Sequence, residues 1–263
     1  MSDPTPRSDP AGGADAPAII PGAEPFTASG GPVGVLVLHG FTGNPQSMRG
    51  LAEALAAAGH TVDLPLLPGH GTVIADMVPT RWEDWSAAAE RAYDALAARC
   101  DKVVVTGLSM GGALTLWLAQ RHPEIAGIAV INALAEQPDG MVDLLQPLLD
   151  DGTVTIPGIG SDIALPNTVE AAYSETPVAA LVSLLGAVDE VGSALGTITC
   201  PVLVLSSLED HVVPPASSDR IVADVAGPVE RVSLERSYHV ATLDYDKDEI
   251  ERQIVAFTSK VTS

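Results

Sequence analysis

The sequence predicts an α/β fold: a mostly parallel central sheet flanked by helices, with one small insertion. Three observations lead there. Short, nearly continuous apolar runs at Val33–Leu38, Val103–Val105, Ile125–Ile131 and Val202–Leu205 have the pattern of strands covered on both faces. Segments of helical period separate the earlier runs, and that alternation implies parallel strands joined by right-handed crossovers. The rhythm then fails between Ala133 and Thr197, where no clear strand separates two core strands. A long interruption of this kind inside a domain is usually functional. With 263 residues the chain is long enough for one full α/β core.

Residues 1–16 are rich in Pro, Gly, Asp and Ala without periodicity and are expected to form a disordered tail. The expected core comprises 17–132 and 198–263, and the expected cap is the 133–197 insertion. Ala18 to Phe26 reads as a short edge strand or an extended arm. The first firm strand, Val33–Leu38, runs into His39-Gly40-Phe41-Thr42-Gly43. From Gln46 to Ala58, the residues Met48, Leu51, Leu55 and Ala58 keep a helical spacing until Gly59 stops it. Val62–Leu64 is a short parallel strand leading to the loop Leu67-Pro68-Gly69-His70-Gly71. Trp82 to Ala98 is the next helix, with Trp82, Trp85, Ala89 and Leu96 near one face.

The strand at 102–106 passes at once into Gly107-Leu108-Ser109-Met110-Gly111, and Ala113 to Arg121 then reads as a helix closed by His122-Pro123. A buried strand, a tight turn and a helix form the context that gives Gly-x-Ser-x-Gly its meaning. There the serine stands at a strained corner, and the positive end of the helix lies beneath any oxyanion formed on it. The plain alternative is a glycine-rich turn with an incidental serine. Within the insertion, apolar patches at 141–149 and 178–185 read as helices whose faces look onto a pocket, with helical patches near 168–174 and 177–190. Ordinary helices packed on the sheet would give the same pattern. The sheet resumes at Val202–Ser207. A helix over Ser217–Val225, a last strand at Val229–Leu234, the loop Ser237-Tyr238-His239 and a final helix from Asp246 to Phe257 complete the order.

A formal net charge of −21 argues against nucleic acid and anionic membrane surfaces as partners. No apolar run approaches the ~18 residues that span a bilayer, and the first residues lack the apolar stretch of a secretory signal. Cys100 and Cys200 have no metal-ligand spacing, so a reduced, cytoplasmic setting is the simplest expectation. Neither a metal cluster nor a dinucleotide fingerprint stands in the sequence, so no cofactor is expected.

A serine hydroxyl needs an adjacent base, itself oriented by a buried acid. In this strand–turn–helix context the chain order is Ser, then Asp or Glu, then His. Of the six histidines, only His211 and His239 lie late enough. His239 follows the last strand, where its side chain can swing over the C-terminal edge of the sheet. His211 adjoins Asp210 and is poorly placed to bond it. His239 is therefore the expected base, and Asp210 the expected acid with Glu209 as the alternative. The oxyanion would rest on the amide of Met110 and on one from the early loop, that of Phe41. His39 is expected to brace that loop.

With these pieces placed, the sequence resembles the bacterial monoacylglycerol lipases and related carboxylesterases of the α/β-hydrolase fold. The resemblance is carried by His39–Met48, Leu67–Gly71, Thr106–Gly112, Glu209–Pro215 and Ser237–Asp246. It implies Ser109, Asp210 and His239 as a catalytic triad, the Phe41 and Met110 amides as the oxyanion hole, and a small cap over the pocket. It further implies that Ile159 and Glu170, in the settings Gly-Ile-Gly-Ser-Asp and Val-Glu-Ala-Ala-Tyr, help bind substrate. The implied partner is a small lipid ester, with at most transient contact of the cap with lipid. Residues 134–157 depart most from the family pattern. A broad esterase for short acyl esters would share every catalytic residue, and a non-catalytic binding module would keep the fold without the chemistry.

Overall fold

Alternation along the inner strands decides how the sheet is buried. In this computed structural model, which describes residues 17–138 and 140–263, the strands are β1 (Phe26–Ala28), β2 (Val33–Leu38), β3 (Thr61–Leu64), β4 (Lys102–Leu108), β5 (Gly127–Ile131), β6 (Thr155–Pro157), β7 (Glu175–Pro177), β8 (Val202–Ser207) and β9 (Val229–Leu234). Leu36 and Leu38 of β2 join one apolar cluster, while Val35 and Val37 join a second on the opposite face. In β5, Ile128 and Val130 part in the same way from Ala129 and Ile131, and in β8 Val202 and Val204 part from Leu203 and Leu205. Successive side chains of a strand point to opposite faces, so a sheet covered twice requires apolar residues at every position.

The helices are α1 (Arg49–Ala57), α2 (Ile74–Met77), α3 (Trp82–Ala97), α4 (Met110–Arg121), α5 (Met141–Asp150), α6 (Val178–Ser193), α7 (Pro215–Asp224) and α8 (Lys247–Thr262). Trp85 of α3, Leu114 of α4 and Leu184 of α6 pack in the first cluster. Leu51 and Leu55 of α1, with Ile250, Ile254 and Phe257 of α8, pack in the second. The main sheet has seven strands in the order β1-β3-β2-β4-β5-β8-β9. Only β1 is antiparallel to its neighbour. The chain leaves β2 toward β3 on one side and returns to β4 on the other. A crevice opens at the C-terminal ends of strands where the winding reverses in this way.

The structure corrects the expected elements at three places. The edge strand begins at Phe26, not near Ala18; Pro21 and Pro25 have no amide to give a ladder. The segment 168–174 is not helical, and its middle residues bond the early loop and the residues just after it. Tyr173 donates its amide to the Thr42 carbonyl (3.1 Å), Ala171 donates its own to Gln46 Oε1 (3.2 Å), and the Asn44 side chain donates to the Ala171 carbonyl. The insertion, expected to lack strands, contains β6 and β7 paired antiparallel; at three residues each, they are too short to show a period. The expected tail at 1–16 lies outside the described residues. Among the described residues, no helix is long and apolar enough to cross a membrane.

Candidate active site

Ser109 follows β4 directly and has φ 56° and ψ −116°. Two glycines make that corner possible. A Cβ on Gly107 would collide with the Gly111 carbonyl, and one on Gly111 would collide with the Leu38 carbonyl. Of the three other described non-glycine residues with positive φ, Thr42 at 61° and Asn132 at 44° follow β2 and β5, and Asn167 at 61° lies in the insertion. Left-handed backbone costs such residues roughly 1–3 kcal/mol each and tends to gather at functional sites. Ser109, Thr42 and Asn132 flank one point on the C-terminal edge of the sheet.

The early loop passes beside the serine: a Cβ on Gly40 would lie 3.6 Å from Ser109 Cβ. Met110 opens α4, and the first amides of a helix have no carbonyl one turn back to bond. His39 holds the loop. Its ring is fully buried, Nδ1 donates to the Gly40 carbonyl (3.0 Å), and Nε2 accepts the Leu67 amide (3.1 Å). Burial, reinforced by neighbouring His70, drives its pKa down to about 3, so the ring stays neutral. Burial likewise lowers His70 to about 4. Its ring packs edge-on against His39, Phe41 and Trp85. These two histidines brace the loop, in agreement with the reading of His39.

His239 lies in the loop after β9, largely buried. Its Nδ1 is 2.8 Å from Asp210 Oδ2, and the two side chains are only 8% and 2% exposed. The other oxygen, Asp210 Oδ1, accepts the amides of Val212 and Val213, each at 2.8 Å. The carboxylate is thus locked at both ends, and Nε2 is the imidazole nitrogen left for a serine. Glu209, the alternative acid, is exposed. His211 does not bond Asp210; it pairs with Asp162 at 2.8 Å.

One residue outside the expected site belongs to this frame. Asn132 donates through Nδ2 to the His239 carbonyl (2.8 Å) and to Ser207 Oγ (2.9 Å), and its Oδ1 accepts the Ser207 amide (2.7 Å). It ties the ends of β5 and β8 to the His239 loop. The only sequence signal was an asparagine at a strand end, a residue type that tolerates left-handed backbone.

Ser109, His239 and Phe41 line one cavity of about 310 Å³. Its roof is apolar and comes from the insertion: Met141 and Leu145 of α5, Ile156 of β6, and Leu181, Leu184 and Leu185 of α6. The helices expected to face a pocket do so. Ile159 and Glu170 also line the cavity, Ile159 being 70% exposed. Glu170 sits against the early loop, where a Cβ on Gly43 would lie 2.6 Å from its Oε1. Burial raises its pKa above the ordinary carboxylate value, against opposing contributions from His239 and a hydrogen bond with Ser47.

The comparisons with known proteins agree with this geometry. The model of the alpha/beta hydrolase family matches residues 35–253. The chain is 47% identical over 245 residues to a thermostable monoacylglycerol lipase of Bacillus sp. (strain H-257), covering 92% of this chain and 96% of that one. It is 30% identical over 243 residues to a carboxylesterase of Bacillus subtilis (strain 168), covering 90% and 97%. A solved structure from the metagenome-derived lipolytic enzymes LipS and LipT superposes with a TM-score of 0.89 at 45% identity, covering 92% of this chain and 100% of that one. The chain therefore belongs to the alpha/beta hydrolase family, in its group of bacterial monoacylglycerol lipases and related carboxylesterases.

Proposed function

We propose that the protein hydrolyses monoacylglycerols to glycerol and free fatty acid through an acyl-enzyme, with Ser109 as nucleophile, His239 as base and Asp210 as acid. The supporting observation is that Ser109 and His239 line one apolar cavity while Asp210 bonds the far nitrogen of His239. Neutral His239 takes the Ser109 proton as Oγ attacks the ester carbonyl. The tetrahedral oxyanion rests on the amides of Phe41 and Met110. His239 then gives its proton to the departing glycerol oxygen and afterwards activates the water that releases the fatty acid. Asp210 holds the Nδ1–H tautomer and stabilises the imidazolium.

Residues 133–197 serve as the cap over a core made of 17–132 and 198–263. The acyl chain lies under the apolar roof, and the glycerol head sits toward Glu170, with Ile159 at the rim. Leu144, Val154, Ile159 and Val169, all in the cap, are among the most exposed large apolar side chains. They support a brief contact with lipid while the substrate enters. The free thiols Cys100 and Cys200 fit a reduced, cytoplasmic setting.

The similarity to the B. subtilis carboxylesterase favours a second reading, a broad esterase for short acyl esters. Competition between monoacylglycerols and short p-nitrophenyl esters separates the two. A higher kcat/KM on monoacylglycerols is expected, and a clear preference for the short esters would overturn the lipase reading.

A further inference from the structure

The cap is joined to the His239 loop by two carboxylates that reach in opposite directions. Asp244, fully buried in the core, accepts four amides: those of Ala164 (2.7 Å) and Leu165 (2.9 Å) from the cap, and those of Tyr238 (2.9 Å) and Tyr245 (2.8 Å) from its own side. Asp162 reaches the other way. Its Oδ2 accepts the amides of His239 (3.0 Å) and His211 (3.1 Å), its Oδ1 pairs with His211 Nδ1 (2.8 Å), and its carbonyl accepts the Val240 amide (3.0 Å). The His211 ring in turn packs edge-on against Tyr238, with centroids 4.5 Å apart.

We propose that Asp162 is a positioning residue for the base, so that part of the catalytic frame is supplied by the cap. This rests on the assignment of His239 and Asp210 as base and acid. One carboxylate oxygen fixes the backbone of His239 and of the residue that follows Asp210. The spacing between the imidazole and its acid therefore depends on Asp162 as well as on their own hydrogen bond. Asn132 holds the His239 carbonyl from below, and Asp162 holds its amide from above. A carboxylate accepting amides makes charge-assisted bonds, stronger than a neutral acceptor would make. Asp244 anchors the cap segment two and three residues farther on, so Asp162 is itself held in place.

The test uses variants of the full chain, each checked by circular dichroism and thermal unfolding. Displacing a reacting group by about 1 Å can cost about 10²-fold, so Asp162→Ala is expected to lower kcat by about 30-fold or more on monoacylglycerols and on short esters alike, with KM held within about threefold. Asp162→Asn keeps one oxygen for the two amides and should recover kcat to within about fivefold of wild type. His211→Ala removes the ring's pairing with Asp162 and its packing on Tyr238 but keeps the backbone amide, and should stay within about twofold. A low-field NMR proton is expected for the His239 Nδ1–H···Asp210 bond in wild type, and it should weaken in Asp162→Ala. If the alanine variant fails to fold, Asp162→Glu carries the same test, because its extra methylene displaces the His239 amide and should cost about tenfold in kcat. A wild-type rate in Asp162→Ala or Asp162→Glu, or a loss confined to KM, would overturn the proposal. A wild-type chain that takes no fluorophosphonate label would instead overturn the serine-hydrolase reading beneath it.

Discussion

The floor and the roof of the cavity are built on different principles. On the floor the groups that frame the serine are tied by directional bonds. His39 is bonded at both nitrogens, Asp210 at both oxygens, and His239 at its ring, amide and carbonyl. Glycines allow backbone to touch backbone behind Ser109. The roof has few such ties. It is made of Met141, Leu145, Ile156, Leu181, Leu184 and Leu185, while Leu144 and Ile159 on the same insertion are 71% and 70% exposed. Chemistry demands placement to a fraction of an ångström, which directional bonds supply. Holding an acyl chain demands only apolar volume, which many packings supply. Changes to the floor should therefore strike turnover, and changes to the roof should strike substrate preference.

The largest expected effect lies at the centre of the floor. Ser109→Ala should lower kcat by at least about 10⁴-fold with the fold intact; residual wild-type rates in a steady-state assay would refute the assignment. Next, Asp210→Asn should cost about 10³–10⁴-fold by disturbing the His239 tautomer, while Glu209→Gln stays within about twofold. The reverse pattern would move the acid to Glu209.

The floor should also answer to acid. His39 and His70 are held neutral, their pKa values lowered to about 3 and about 4 from 6.5. Below pH 6.5 the unfolded chain binds protons that the native rings refuse. The stability they confer is thus present above pH 6.5 and is lost as pH falls through about 4 for His70 and about 3 for His39. The expected slope is about 1.4 kcal/mol per pH unit for each ring. Urea midpoints measured from pH 7 to 5 should fall, and His70→Asn should remove one proton from the slope; an unchanged slope would contradict this.

The smallest effect belongs to the roof. Leu184→Ala should raise KM for long-chain monoacylglycerols by about tenfold through lost apolar contact, leaving short esters within about twofold. Equal losses on both substrates would break the distinction between floor and roof.

The same distinction governs what could be read from residues alone. The corner at Ser109 was legible because the close contacts of strand and helix demand glycine at 107 and 111, within five residues of chain. His239 and Asp210 were legible because each follows a strongly apolar or alternating strand end. The braces of the floor were not all visible. Asn132 acts through partners 75 and 107 residues away, and Asp162 through one 77 residues away; no local pattern marks such contacts. The roof misled most. The segment 168–174 carries helical spacing, yet the Ala171 and Tyr173 amides bond residues of the early loop and just after it. Tertiary hydrogen bonds there override a weak local propensity.

Everything proposed for this site depends on Ser109, which lines the cavity, being the activated nucleophile. Treating the full chain with a long-chain fluorophosphonate and mapping the adduct by peptide mass spectrometry tests it most directly. One adduct per chain is expected, on Ser109, formed faster than with a short-chain probe and absent from Ser109→Ala. Labelling of another residue, or no labelling of the wild-type chain, would contradict it.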